Sequence, residues 1–172
     1  MSNIELDLYR SCKSRDWGTR KASDSSRSKE FLAADGKTSL HPNYGFTRTD
    51  GSERPSDVTR FSKDGKTWVR GVEDIRPDGK HWVSWKEGVS VGSNKQAMPY
   101  SKGWFDFLLP KGTSIPASLD VKPTPSRSNP DHYSIRLKNQ LTQEAYQDAL
   151  DTLARNAIAK AVELGIPSHC FS

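Results

Sequence analysis

"DHYSIRL", residues 131–137, alternates in period two: His132, Ser134 and Arg136 fall on one side, Tyr133, Ile135 and Leu137 on the other. That is the pattern of a half-buried strand, and its first three residues are all able to hold a proton. Ahead of it, "TSIPASLDVKPTPSRSNP" (113–130) carries four of the ten prolines. It reads as a long ordered loop with one helical turn after Pro116. Behind it, Tyr146, Ala149, Leu150, Leu153, Ala157, Ala161 and Leu164 recur at spacings of three and four, and Ile158 and Val162 widen the stripe. The helix so predicted spans 143–164. Thr142 suits its N-cap, Leu141 can staple onto Tyr146, and Gly165 suits C′, followed by Ile166 and Pro167. The C-terminal half is therefore a strand followed by a long helix laid on a sheet.

Upstream, "WFDFLLP" (104–110) is the most apolar strand, ended by Pro110 and a Lys-Gly turn. "GVSVGS" (88–93) is strand-like but small, so a ligand or another backbone has room to approach it. "DGKTWV" (64–69) and "DGKHWV" (78–83) repeat a turn-then-strand unit, and Asp-Gly is a strong hairpin signal. Two hairpins are expected, with Trp68 and Trp82 packed on one core; the functional alternative is stacking on a nucleobase. "IELDLYR" (4–10) puts Ile4, Leu6, Leu8 and Arg10 on one strand face. Arg10 on an apolar face has two readings. It snorkels past the strand end, or it is a guanidinium held at a cleft mouth for phosphate or carboxylate. Residues 11–30 read as a basic loop, 29–34 as a short helix stopped by Gly36, and "LHPNYGF" (40–46) as a turn. This order predicts an α+β, mostly antiparallel single domain.

Composition narrows the partners. The 172 residues are 27% charged and 33% hydrophobic, with a formal net charge of +5, which favours anionic partners. Cys12 and Cys170 and four scattered histidines offer no zinc spacing, so no metal site is expected. Free thiols are expected, with a disulfide between the two as the alternative. No apolar run approaches the roughly 18–20 residues of a membrane span. "MSNIELDLYR" lacks the basic and apolar regions of a signal peptide. The expectation is a protein made in the cytoplasm, with any export through a dedicated secretion system.

"LYR" (8–10), "GVSV" (88–91) and "FLLPKGTSIPASL" (107–119) followed by "HYSIRL" resemble, in order, segments of ADP-ribosyltransferases. The resemblance is closest to type VI secretion effector toxins with an ADP-ribosyltransferase-like fold. It includes "LHPN" (40–43) and the "L-RNAI" of the last helix, and covers residues 1–10, 40–43 and 78–164. It implies one such domain over 1–172, built of two packed, mostly antiparallel sheets and a long C-terminal helix, with a variable basic loop at 11–39. It implies NAD as substrate in a cleft between the sheets. Tyr9, Arg10, Gly88 and Ser90 would bind it, Arg10 at the pyrophosphate, and His132, Tyr133 and Ser90 would be catalytic. The sequence departs from the better-known transferases at Tyr133, which takes the place of their catalytic glutamate, and Asp131 stands two residues before. Val89 replaces a hydroxyl residue of the closest toxins. Tyr133 is then expected to clamp a ribose hydroxyl, with His132 as base. Glu87 and Asp131 are alternative acids: either could enter the cleft, and each is read first as a solvated surface carboxylate.

The function so implied is an NAD-dependent toxin that transfers ADP-ribose to an intracellular target, or cleaves NAD, and arrests a recipient cell. A neutralising immunity protein, acidic where it meets this basic chain, is the implied partner. The alternative is a non-enzymatic binder on the same fold, holding nucleic acid or a protein through basic loops. A weaker third reading is an RNA-binding domain built on Trp17, Trp68 and Trp82.

Overall fold

Residues 132–137 form strand β9 (His132–Leu137), in a five-stranded sheet with β1 (Leu8–Lys13), β6 (Val89–Gly92), β7 (Trp104–Leu109) and β8 (Leu119–Pro123). The computed structural model describes residues 2–13, 40–42, 44–47, 50–82, 87–94 and 104–166. The expected helix at 29–34, Trp17, Cys170, the Cys12 side chain and the basic loop beyond residue 13 lie outside them. The strand order is β7-β1-β6-β9-β8, with every pairing antiparallel. A second sheet, β10-β5-β4, joins β4 (Arg60–Lys63), β5 (Lys66–Val69) and β10 (Leu141–Thr142). A short pair, β2 (Phe46–Thr47) with β3 (Glu53–Arg54), completes the strands described. Helix α1 (Gln143–Glu163) contacts β7 of the large sheet and β5 and β10 of the small one.

Partners across an antiparallel ladder share a face, so the register sorts the large sheet. Leu8, Arg10, Phe107, Leu109, Val89, Val91, Tyr133, Ile135, Leu137, Leu119 and Val121 share the inner face. Most of them are wholly buried in one core with Tyr146, Leu150, Leu153, Ala154 and Ala157 of α1. Each large side chain so buried contributes about 1.5–3 kcal/mol. The outer face carries Tyr9, Leu108, Ser90, Gly92, His132, Ser134 and Arg136.

The helix ends as its sequence dictates. The Thr142 hydroxyl accepts from the Ala145 amide at 3.2 Å, and Gly165 and Ile166 donate to the carbonyls of Val162 and Ala161 in a Schellman closure. The apolar stripe is narrower than expected, because Val162 and Leu164 are 73% and 53% exposed.

Four other expectations are corrected. Residues 4–7 are not strand: the segment bridges the turn after β7 through Asn3↔Ser114, and the strand begins at Leu8 and runs three residues into the expected loop. The Pro-rich 113–130 stretch is not all loop, since Leu119–Pro123 is β8. An edge position lets Pro123 stand in a strand, because its missing N–H interrupts no inner ladder. "DGKTWV" does make a hairpin, β4–β5, turning on Asp64 (φ 53°) and Gly65 (φ 74°), whereas the described part of "DGKHWV", residues 78–82, makes the isolated bridge Ile75↔His81. Trp68 and Trp82 are not in one core. Both sit on the outer side of the small sheet, Trp82 at 41% exposure. Arg70 lies between the rings of Phe61 (3.7 Å) and Trp82 (3.9 Å), Phe61 stacks on Trp68, and Lys63 stands over Trp68 at 5.1 Å. Guanidinium and ammonium groups cover the rings that a core would have covered.

Candidate active site

The site begins where two strands part. β1 pairs with β7 along its whole length, from Leu8↔Leu109 to Lys13↔Trp104. With β6 it is joined at Tyr9↔Gly92. Beyond Tyr9 the chain stays with β7 and leaves β6. Arg10 is the first residue past the junction, and its guanidinium spans the opening: Nη1 donates to the Ser90 carbonyl at 2.9 Å and Nη2 to the His41 carbonyl at 3.4 Å. A planar fork with donors on both edges can bridge two carbonyls that an ammonium could not. His41 is itself held from the other side, its Nε2 lying 2.8 Å from Oδ1 of the buried Asp151 on α1. Helix, His41 loop, β1 and β6 are thus linked through one side-chain chain.

Glu87 approaches the same opening from the start of β6. Its Oε1 accepts from the Thr59 hydroxyl at 2.6 Å. Its Oε2 is buried and has no hydrogen-bond partner among the described residues. Burial pushes the carboxyl above its ordinary pKa, against the opposing effect of the Thr59 bond. On α1 the wholly buried Tyr146 hydroxyl likewise has no partner among the described residues. It lies within electrostatic reach of Tyr44, Asp57, Arg10 and Glu87, and burial, reinforced by those acids, raises its pKa far out of the working range. An unsatisfied buried group typically costs about 1–3 kcal/mol, and such groups concentrate where something else binds. Tyr44 and Arg60 form the neighbouring rim: the guanidinium lies 4.5 Å over the Tyr44 ring, and Gln147 donates to its hydroxyl at 2.9 Å.

Gly88 separates Glu87 from Val89 at φ 140°, and a Cβ there would stand 2.3 Å from the Ile135 carbonyl oxygen. No side chain fits, so the glycine lets the start of β6 lie close against β9.

The outer face holds a second cluster. Ser90 pairs with Ser134 across the ladder. The Thr124 hydroxyl lies 2.8 Å from the buried Ser134 hydroxyl and 2.7 Å from His132 Nδ1. The Thr124 carbonyl is 3.2 Å from the same nitrogen. That environment fixes the imidazole ring at Nδ1 and turns Nε2 away from Thr124. Tyr133, by alternation, points to the opposite face. Its ring packs on the core and lines a cavity of about 220 Å³ with Leu6, Leu8, Leu119 and Val121. This cavity includes none of Arg10, Ser90 and His132.

A family model described as "Tse2 ADP-ribosyltransferase toxin" matches residues 6–162. The chain belongs to this family. It is a toxin of ADP-ribosyltransferase type, among the type VI effectors, and the family implies NAD as substrate. No curated protein matches it. The α+β fold expected from the sequence, two antiparallel sheets with a C-terminal helix, is the one observed. Among the described residues no helix is long and apolar enough to cross a membrane.

Of the residues singled out in this Tse2-family sequence, the structure brings Arg10 to the Ser90 backbone and Ser90 to the Ser134–Thr124–His132 cluster. Tyr9 lies on the outer face with them, and Tyr133 is set apart on the inner face. Asp131 is half-buried at the start of β9. Sequence reasoning missed the His41–Asp151 link, and it favoured a surface carboxylate over a cleft acid for Glu87. The signal for the first was an acid, Asp151, one position from Leu150 in the apolar stripe; for the second, a carboxylate directly before the glycine of "GVSV".

Proposed function

We propose that this toxin cleaves the nicotinamide–ribose bond of NAD at the opening between β1 and β6, and transfers ADP-ribose to a target inside a recipient cell. The observation that carries the reading is Arg10: an arginine on an inner strand face, its guanidinium fixed across the strand opening by two carbonyls. A guanidinium so oriented suits a pyrophosphate, which takes paired N–H donors. Ser90 supplies hydrogen bonding on the nicotinamide side. His132, anchored through Nδ1 by Thr124, serves as proton carrier. Gly88 keeps the approach to Ser90 narrow. Cleavage passes through an oxocarbenium-like state, so the site must hold nicotinamide still and stabilise positive charge on the ribose. An acidic immunity protein would protect the producing cell.

Two measurements test this. Purified protein incubated with NAD should release nicotinamide. Expression in a host cell should be toxic, and Arg10→Ala should relieve that toxicity. Full toxicity after Arg10→Ala and Ser90→Ala together would refute it. One observation favours a second reading, that of a binding protein: the outer side of the small sheet sets Lys63, Arg70 and Arg76 against Phe61, Trp68 and Trp82. Binding of an oligonucleotide that fades with salt and ignores NAD, in a protein that releases no nicotinamide, would support that alternative.

A further inference from the structure

Glycosidic cleavage of NAD builds positive charge at the ribose, and a negative group near it lowers the barrier. Position 133, where the resemblance places that group, holds a tyrosine that packs on the core. Glu87 has what position 133 lacks. It lies three residues before Ser90, on the inner-face side that Arg10 shares. Its two oxygens are unlike: Oε1 is fixed by the Thr59 hydroxyl at 2.6 Å, while Oε2 is buried without a partner among the described residues. Glu87 and Arg10 are both within electrostatic reach of the Tyr146 hydroxyl, which is also buried without a partner among the described residues. Arg10, which spans the strand opening, and Glu87 thus share the electrostatic neighbourhood of one buried phenol.

Resting on the NAD reading above, we propose that Glu87 is the carboxylate of the cleft, held by Thr59 through Oε1 and presenting Oε2 to the ribose of the bound dinucleotide. The C1′–N bond breaks with its electron pair leaving on nicotinamide, which departs neutral. C1′, left as an oxocarbenium ion, forms its new bond to water or to the acceptor's nucleophilic atom. The proton of that nucleophile passes to Oε2 and on to solvent. The carboxyl is raised by burial, which brings a carboxylate base closer to working pH. A purely structural Glu87 would act only through the Thr59 bond, and glutamine keeps that bond.

Glu87→Gln separates the two roles. In the full-length protein, kcat for nicotinamide release should fall by about 100-fold or more, the lower range for a lost acid–base group, while NAD affinity holds and the melting temperature does not fall. Thr59→Val, an exposed position, releases Oε1 and should slow turnover about fivefold, the effect of one hydrogen bond. Wild-type release with Glu87→Gln within about threefold of it, less than one hydrogen bond is worth, overturns Glu87 and leaves the NAD reading standing. Wild-type protein that neither binds NAD nor releases nicotinamide overturns that reading and Glu87 with it. Should Glu87→Gln fail to fold, an unchanged rate in Thr59→Val overturns the proposal.

Discussion

Replacing Gly88 with alanine tests whether the β6–β9 contact sets the site. Two separate costs meet there: a Cβ 2.3 Å from the Ile135 carbonyl oxygen, and a backbone φ of +140°. Two other glycines isolate them. Gly51 has φ +87° with nothing within 4 Å, and Gly71 has a Cβ position 2.4 Å from the Lys138 carbonyl oxygen without a positive φ. Left-handed backbone costs an L-residue about 1–2 kcal/mol, and overpacking costs about 1–3 kcal/mol. Gly51→Ala should then lose about 1 kcal/mol, Gly71→Ala about 2, and Gly88→Ala about 4. Urea unfolding reads this directly. With a slope of about 2 kcal/mol per molar, the Gly88→Ala midpoint falls by about 2 M. Nicotinamide release should fall further than stability explains under conditions where the variant is folded, because β6 carries Glu87 and Ser90 with it. A Gly88→Ala loss no larger than that of Gly51→Ala would show that β6 does not lie against β9 as described.

Other outcomes follow from the same contacts. Because burial raises the Glu87 carboxyl pKa, the folded protein holds that proton more tightly than the unfolded chain. The resulting stability is present below the unfolded value and is lost as pH rises through the folded one. Glu87→Gln should therefore be the more stable protein at pH 7 in urea melts, with its advantage gone below about pH 4; a destabilised variant at pH 7 contradicts the burial argument. Asp151→Ala leaves His41 without its carboxylate and should lower stability by about 2 kcal/mol, the worth of a hydrogen bond to a charged group, and should also weaken NAD binding measured by calorimetry. Arg70→Ala removes a guanidinium from between two rings and should cost about 1–2 kcal/mol by thermal melting, two exposed cation–π contacts, with nicotinamide release unchanged.

Much of this fold was legible because local chemistry decides it. Helix α1 needed only its period, a threonine cap and a glycine stop. β9, β6 and β7 needed only alternation, small residues or an apolar run between turn signals. β8 escaped because Pro123 and Asp120 violate the usual strand composition, and only the edge position excuses them. The tryptophans were misread because composition cannot say that an arginine twelve residues away in sequence, Arg70, will cover the Trp82 ring. For the site, Arg10 was legible as an arginine on an apolar strand face. His41 and Asp151, 110 residues apart, were not.

By itself the sequence determined the fold class, the long helix, the inner parity of Arg10 and the opposite parities of His132 and Tyr133. These follow from backbone periods of 2 and 3.6 that no partner alters. The tertiary structure alone decided where β1 leaves β6, and so where an opening exists. It also decided which of the nearby acids has a buried carboxylate oxygen. Whether a carboxylate is solvated or buried depends on what the rest of the chain packs around it. At Glu87 the neighbour is Thr59, from the approach to β4, which is no neighbour of residue 87 in sequence.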